Sequence, residues 1–190
     1  MSNLIYTLEK HQKVTRACHL IEHGFRTSII ALETGLPFYL VRRMIKDMGY
    51  PPKPGSIPGS DAIMKTRGAQ IHCSLLMGFY QKIAGPACYE QIDIDSLITA
   101  FHQYTDIAER LTLPPSRAWM PMSINHGWIL ARDLRIGLSR FERCDCGTHF
   151  LTVANQHFKL LDCPICNLKR RNVSLRAKQV TNEDVYLYPD

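Results

Sequence analysis

The stretch TSIIALETGLPFYLVRRMIK, Thr27 to Lys46, decides how the rest of this chain is read. A helix-turn-helix needs a small residue where its two helices cross, and Ala31 stands in that place. Four positions later it needs a turn residue that tolerates positive φ, and Gly35 does so at no steric cost. Ile30, Leu36, Val41 and Met44 then fall at the offsets of the two inner faces. Pro37 suits the first turn of the second helix, expected over Pro37 to Met48. The outer face of that helix carries Tyr39, Arg42, Arg43 and Lys46. A recognition helix in the major groove needs donors for base edges and phosphates there. Arginine reaches guanine in a bidentate way, and lysine more often meets phosphate. The competing reading is an ordinary αα-corner in a helical core; the basic outer face favours DNA binding.

Working outward, residues 1–49 read as one helical segment around this pair. Val14, Ala17, Leu20 and Ile21 recur at helical period from about Lys13, Gly24 breaks the pattern, and a helix over Thr27 to Thr34 follows. Residues 50–60, YPPKPGSIPGS, are a linker whose prolines and glycines exclude helix and central strand and predict an extended arm. Residues 61–140 read as a helical body. Asp61 is expected to cap a helix reaching Ala84, where Gly85-Pro86 stops it; further helices are expected over Asp95 to Leu111 and Ser123 to Leu138. Leu97, Phe101, Tyr104 and Ala108 share one face of the helix expected over Asp95 to Leu111. Residues 141–180 form a basic, metal-binding segment with a β-like piece at Phe150 to Val153, and residues 181–190 read as a flexible tail. The fold class is therefore mainly α: an N-terminal helix-turn-helix and a helical body, followed by a small zinc-ribbon-like segment.

Of seven cysteines, Cys144, Cys146, Cys163 and Cys166 crowd into that segment as C-x-C and C-x-x-C. Clustered cysteines in a reducing compartment suggest metal rather than disulfides. Four thiolates close a tetrahedral site with no open position, so the expected cofactor is a single structural Zn2+. His149 or His157 could replace one cysteine. The competing reading, four unliganded thiols, leaves them open to oxidation. Arg140, Arg143, Lys159, Lys169, Arg170, Arg171, Arg176 and Lys178 surround the cysteines. They suggest a second DNA contact to phosphate, foremost through Lys169, Arg170 and Arg171; the competing reading is a solvated basic tail.

Composition bounds the rest. The chain has 190 residues, 45% apolar and 21% charged, with a net charge of +6. This is globular, and its charge favours nucleic acid or an anionic surface. No apolar run approaches the roughly 20 residues of a membrane span, and the start lacks a signal-peptide core. A cytoplasmic protein with no membrane partner is expected. No nucleotide-binding loop and no H-E-x-x-H occurs. His72 and Cys73 are adjacent, and adjacent helical side chains point about 100° apart at 3.6 residues per turn, so a core cysteine is expected rather than a nucleophile. Asp93 and Asp95 read as a solvated helix start, Cys18 and Cys88 as buried small apolar residues, and Trp119 and Trp128 as packing anchors. No catalytic residue is expected and the chain does not read as an enzyme.

The order of parts carries a resemblance. The N-terminal helical segment, the arm Pro51-Pro52-Lys53-Pro54-Gly55, the phrase Arg117-Ala118-Trp119, the tryptophan-bearing helix before the cysteines and the terminal four-cysteine site together resemble the FlhC family over nearly the whole chain. The resemblance implies a transcription activator subunit. It would act in a hetero-oligomer with a FlhD-like small helical protein, bind duplex promoter DNA and recruit RNA polymerase. The genes served would be flagellar or, as for the related activators SetC and AcaC, conjugative-transfer genes. Two features depart from the family: its first pair is usually C-x-x-C, and the acidic end after Lys178 leans toward a transfer activator. The alternatives are a structural zinc module that docks another protein and a zinc-ribbon nucleic-acid enzyme, for which no carboxylate cluster is evident.

Overall fold

The computed structural model describes residues 2–53, 55–110, 122–155 and 161–170, with side chains from Thr7 onward. Helices dominate: α1 (Ser2–Glu22), α2 (Thr27–Thr34), α3 (Phe38–Asp47), α4 (Ser60–Ile63), α5 (Arg67–Ala84), α6 (Ile94–Arg110) and α7 (Ile124–Arg135). A 3-10 turn, Gly85–Tyr89, joins α5 to α6, and two short strands, β1 (Ser139–Arg143) and β2 (His149–Val153), come after α7. Residues 164–170 are helical. Among the described residues no helix is long and apolar enough to cross a membrane.

The N-terminal elements obey the glycine punctuation. Gly24 (φ +73°) ends α1, with its N–H on Ile21 O at 2.9 Å and the Phe25 N–H on Leu20 O at 3.1 Å. Gly35 (φ +67°) ends α2 by donating to Ala31 O at 2.9 Å. Pro37 is the N-cap of α3. α1 begins at Ser2, well before Lys13. Residues 7–12 are solvent-exposed, so no apolar period marks that part of the helix.

Two expectations in the body need correction. The single helix from Asp61 to Ala84 is two helices. The chain turns at Met64, whose side chain is buried, and Thr66 then caps α5 by accepting the Ala69 N–H at 3.1 Å. The last helix stops at Arg135 rather than Leu138: Gly137 (φ +75°) turns the chain and the Leu138 N–H returns to Asp133 O at 2.8 Å. Beyond this turn the chain becomes a strand. β1 pairs antiparallel with β2 from Ser139↔Val153 to Arg143↔His149. The mixed charged sequence of β1 offers no alternating pattern from which a strand could be read. Elsewhere the caps match residue chemistry. Asp93 opens α6 by accepting the Ser96 N–H (3.0 Å) and hydroxyl (2.7 Å). Ser123 and His126 form a reciprocal cap on α7.

One core joins these elements. Ala17, Leu20, Ile29, Ile30 and Val41 of α1–α3 belong to the same buried cluster as Leu76, Tyr80, Leu97, Leu130 and Leu151. Of the inner-face residues expected around Gly35, Ile30, Ala31, Leu36 and Val41 are buried and Met44 is half-buried. On α6, Leu97 and Tyr104 are buried, while Phe101 and Ala108 are half-buried against the core. Cys73 and Cys88 are buried, and Cys18 only half-buried. Burial pushes the Cys73 thiol up to about 12. The neighbouring His72 is engaged by the Tyr104 hydroxyl at 2.8 Å. Gly127 lets α7 pack closely: a Cβ there would sit 3.1 Å from Leu97 and 3.2 Å from Leu76.

Polar contacts weld α1–α3 to α7. The buried Asn125 amide accepts the Arg26 N–H at 2.7 Å and donates to Gly24 O at 3.1 Å. Buried Trp128 donates through Nε1 to Glu33 at 2.8 Å, and Glu33 takes Arg16 at 3.0 Å. Trp119 lies outside the described residues. Asn125→Ala leaves the Arg26 N–H without its acceptor and is expected to cost about 1–3 kcal/mol, the usual penalty for an orphaned buried polar group. A urea-denaturation midpoint unchanged from wild type would contradict that assignment.

Candidate functional site

The hairpin and the helical residues behind it bring all four C-terminal cysteines together. The β1–β2 turn is tight: Cys144 N–H donates to Thr148 O at 2.9 Å and Gly147 N–H to Cys144 O at 2.8 Å, with Gly147 at φ +84°. This carries Cys144 and Cys146 on one short loop. Cys163 stands just before helical residues 164–170, accepting the Asn167 N–H at 3.2 Å, and Cys166 lies one turn on. The four Sγ atoms all lie within 4.8 Å of one another. Cys144 and Cys166 approach to 3.7 Å, and Cys146 and Cys163 to 3.8 Å.

Those distances match a metal site. Zinc held about 2.3 Å from each of four sulfurs sets them about 3.8 Å apart along the tetrahedron's edge. The C-x-C spacing is therefore compatible with closure, on a tight turn that Gly147 completes at positive φ. His149 is exposed at the start of β2 and stands outside the cluster; His157 lies outside the described residues. The hydroxyl and N–H of Thr148 hold the Cys146 thiol down, to about 6. Cys146 and then Cys144 push Cys166 up to about 12.

Polar residues of α5, which carry no signal in the sequence, seat the hairpin. Ser74 Oγ accepts the Leu151 N–H at 2.9 Å, and Gln70 donates to Leu151 O at 3.3 Å. Both outward backbone groups of Leu151, on the edge of β2 away from β1, are thereby satisfied. Arg67 hydrogen-bonds Asp162 O and lies 3.7 Å from the Asp162 carboxylate, tying the segment just before Cys163 to the same helix. On α5 these residues are indistinguishable by type from an ordinary solvated face, so only the tertiary contact identifies them.

The basic residues singled out in the sequence are exposed where described. On α3, Tyr39 is 75% exposed, and Arg42, Arg43 and Lys46 are exposed beside it. Arg43 lies 3.6 Å from Asp47, a surface pair of small worth that yields readily to another partner. Lys169 and Arg170 are exposed at the end of the helical residues after Cys166; Arg171 lies outside the described residues.

Metal titration of the purified chain is expected to saturate at a single thiophilic divalent ion with release of protons. Its affinity should fall as pH is lowered, because each ligand must lose a proton to bind. Competition against a coloured chelator at two pH values reads both effects. A Cys163→Ser chain that binds as tightly as wild type would overturn the ligand set.

The family model FlhC, described as flagellar transcriptional activator, matches residues 5–179. A flagellar transcriptional regulator FlhC from Thauera aminoaromatica is 28% identical over 180 residues, covering 94% of this chain and 89% of the relative. One of the same name from Gallionella capsiferriformans is 27% identical over 173 residues, covering 90% and 92%. Another from Enterobacter cloacae is 23% identical over 177 residues, covering 92% and 88%. The chain belongs to the FlhC family of flagellar transcriptional activators.

Proposed function

We propose that this chain is the DNA-binding subunit of a transcription activator, acting from the cytoplasm. α2 and α3 serve as its helix-turn-helix, and a structural Zn2+ occupies the four cysteines. The observation that carries this reading is α3 itself. Its inner face, Val41 and Ile45, is buried, while Tyr39, Arg42, Arg43 and Lys46 are left outward and exposed. A helix so divided, held across the turn at Gly35, is suited to the major groove. The exposed Lys169 and Arg170, with Arg171 next in the chain, supply a second, phosphate-directed contact. The helical body binds a FlhD-like small helical protein that sets the spacing of two half-sites, and the assembly recruits RNA polymerase. The names of the relatives favour flagellar genes as the targets. The acidic end that leans toward conjugative-transfer genes lies outside the described residues.

Selection from a random duplex pool, with the chain alone and with the product of a neighbouring small gene, tests the reading. Enrichment of one long, partly symmetric site, stronger with the partner, supports it. No enrichment in either case, with metal bound, shifts the function to protein docking by the metal segment. On the enriched site Arg43→Ala is expected to cost about 1–3 kcal/mol of discrimination. Stripping zinc is expected to expose the amides of residues 139–155 and 161–170 to hydrogen exchange while α5 and α6 stay protected. Uniform protection after stripping would sink the structural role.

A further inference from the structure

The outer residues of α3 do not form one surface. Phe38, Arg42 and Lys46, spaced four apart, line a cleft of about 660 Å³ whose other wall is the proline-rich arm with Tyr50, Pro52 and Lys53. Tyr39 and Arg43 form the adjoining stripe and do not line it.

The arm wall is anchored. Lys53 Nζ donates to Gly24 O at 2.9 Å, and Arg26 donates to Ser56 O at 2.9 Å. A Cβ on Gly24 would come within 2.6 Å of Lys53 Nζ, so the glycine makes room for the ammonium. Asn125 holds the same turn from beneath. The cleft thus brings together three cations with no carboxylate among its described lining residues. Its mouth is open: Phe38 is 53% and Tyr50 40% exposed. A small anion is better held by a closed ring of donors; an open, cationic trough with two aromatic edges suits an extended chain of phosphates and sugars.

Groove dimensions supply the reason for a phosphate wall at this place. A helix with its side chains is about 10–12 Å across, and the major groove of DNA is about 12 Å wide. A helix lying in that groove must therefore press its flanks against the backbones on either side.

We propose that the cleft between α3 and the arm receives the sugar–phosphate backbone of one DNA strand, gripped by Arg42, Lys46 and Lys53, while Tyr39 and Arg43 face the bases. This rests on the DNA-binding reading above and divides its four α3 residues into two roles. The arm is then part of the interface, not a spacer, and fixes how α3 rolls in the groove.

The test uses the full chain with its partner, the selected duplex, a random-sequence duplex and a sodium chloride series. Arg42→Gln and Lys46→Gln are each expected to weaken both duplexes by the same factor. Each should also lower the slope of log affinity against log salt by about 0.9, the value for one lost phosphate contact. Arg42→Lys should restore the slope, since a phosphate needs a charge and not a planar fork. Arg43→Gln should instead narrow the ratio between the two duplexes. If Arg42→Gln and Lys46→Gln narrow that ratio with the salt slope unchanged, or if Arg42→Lys fails to restore the slope, the cleft assignment is overturned and the DNA-binding reading survives. If the wild-type complex binds neither duplex, the DNA-binding reading falls and the cleft assignment with it.

Discussion

A single buried amide, that of Asn125, holds two helix ends at once. Its oxygen takes the Arg26 N–H at the N-cap of α2, and its nitrogen reaches Gly24 O in the turn after α1. A buried amide with both ends satisfied rigidifies its surroundings, because every alternative placement orphans a polar group. α2 and α3 are thereby fixed to α7, whose chain continues through Gly137 into the hairpin that bears two of the four cysteines. The exposed face of α3 and the metal segment are thus built on a common frame rather than on independent modules. The arm joins that frame at the same turn, since Lys53 also donates to Gly24 O.

The metal segment depends on this frame. Its described residues contribute few apolar side chains to the core, chiefly Leu151 and Val153, with Phe141 packed against it. That is too little to order a two-stranded hairpin in water. Two supports compensate. Side chains of α5 satisfy the outward backbone groups of Leu151 in β2, and four sulfurs converge at metal-site spacing. The first ties the hairpin to the body, and the second ties the hairpin to the helical residues behind it. A bound ion would lower the free energy of this end alone and leave the larger core to the helices.

Much of this was legible from residue types. Gly35 and Gly24 mark turns because only glycine enters positive φ freely. The arm is legible because proline forbids helix, and the cysteine cluster because four thiols at short spacings stand out by type alone. The break at Met64, the strand Ser139–Arg143 and the early start of α1 were not legible. In each case local propensity is neutral, and the outcome is set by a contact distant in sequence or by solvent on a featureless polar face. The same holds for Gln70 and Ser74, whose partner Leu151 is far along the chain.

By itself the sequence determined the helical character, the turns, the proline arm, the cluster of thiols and the family to which the chain belongs. These come from what each residue type permits its own backbone or its own side-chain chemistry to do. Only the tertiary structure decided that one core unites the N-terminal helices with the body and that Asn125 welds them. It also decided that α3 divides into a stripe facing the arm and a stripe facing outward. Those features depend on which surfaces meet, and a one-dimensional pattern records periodicity but not the identity of the partner across the interface.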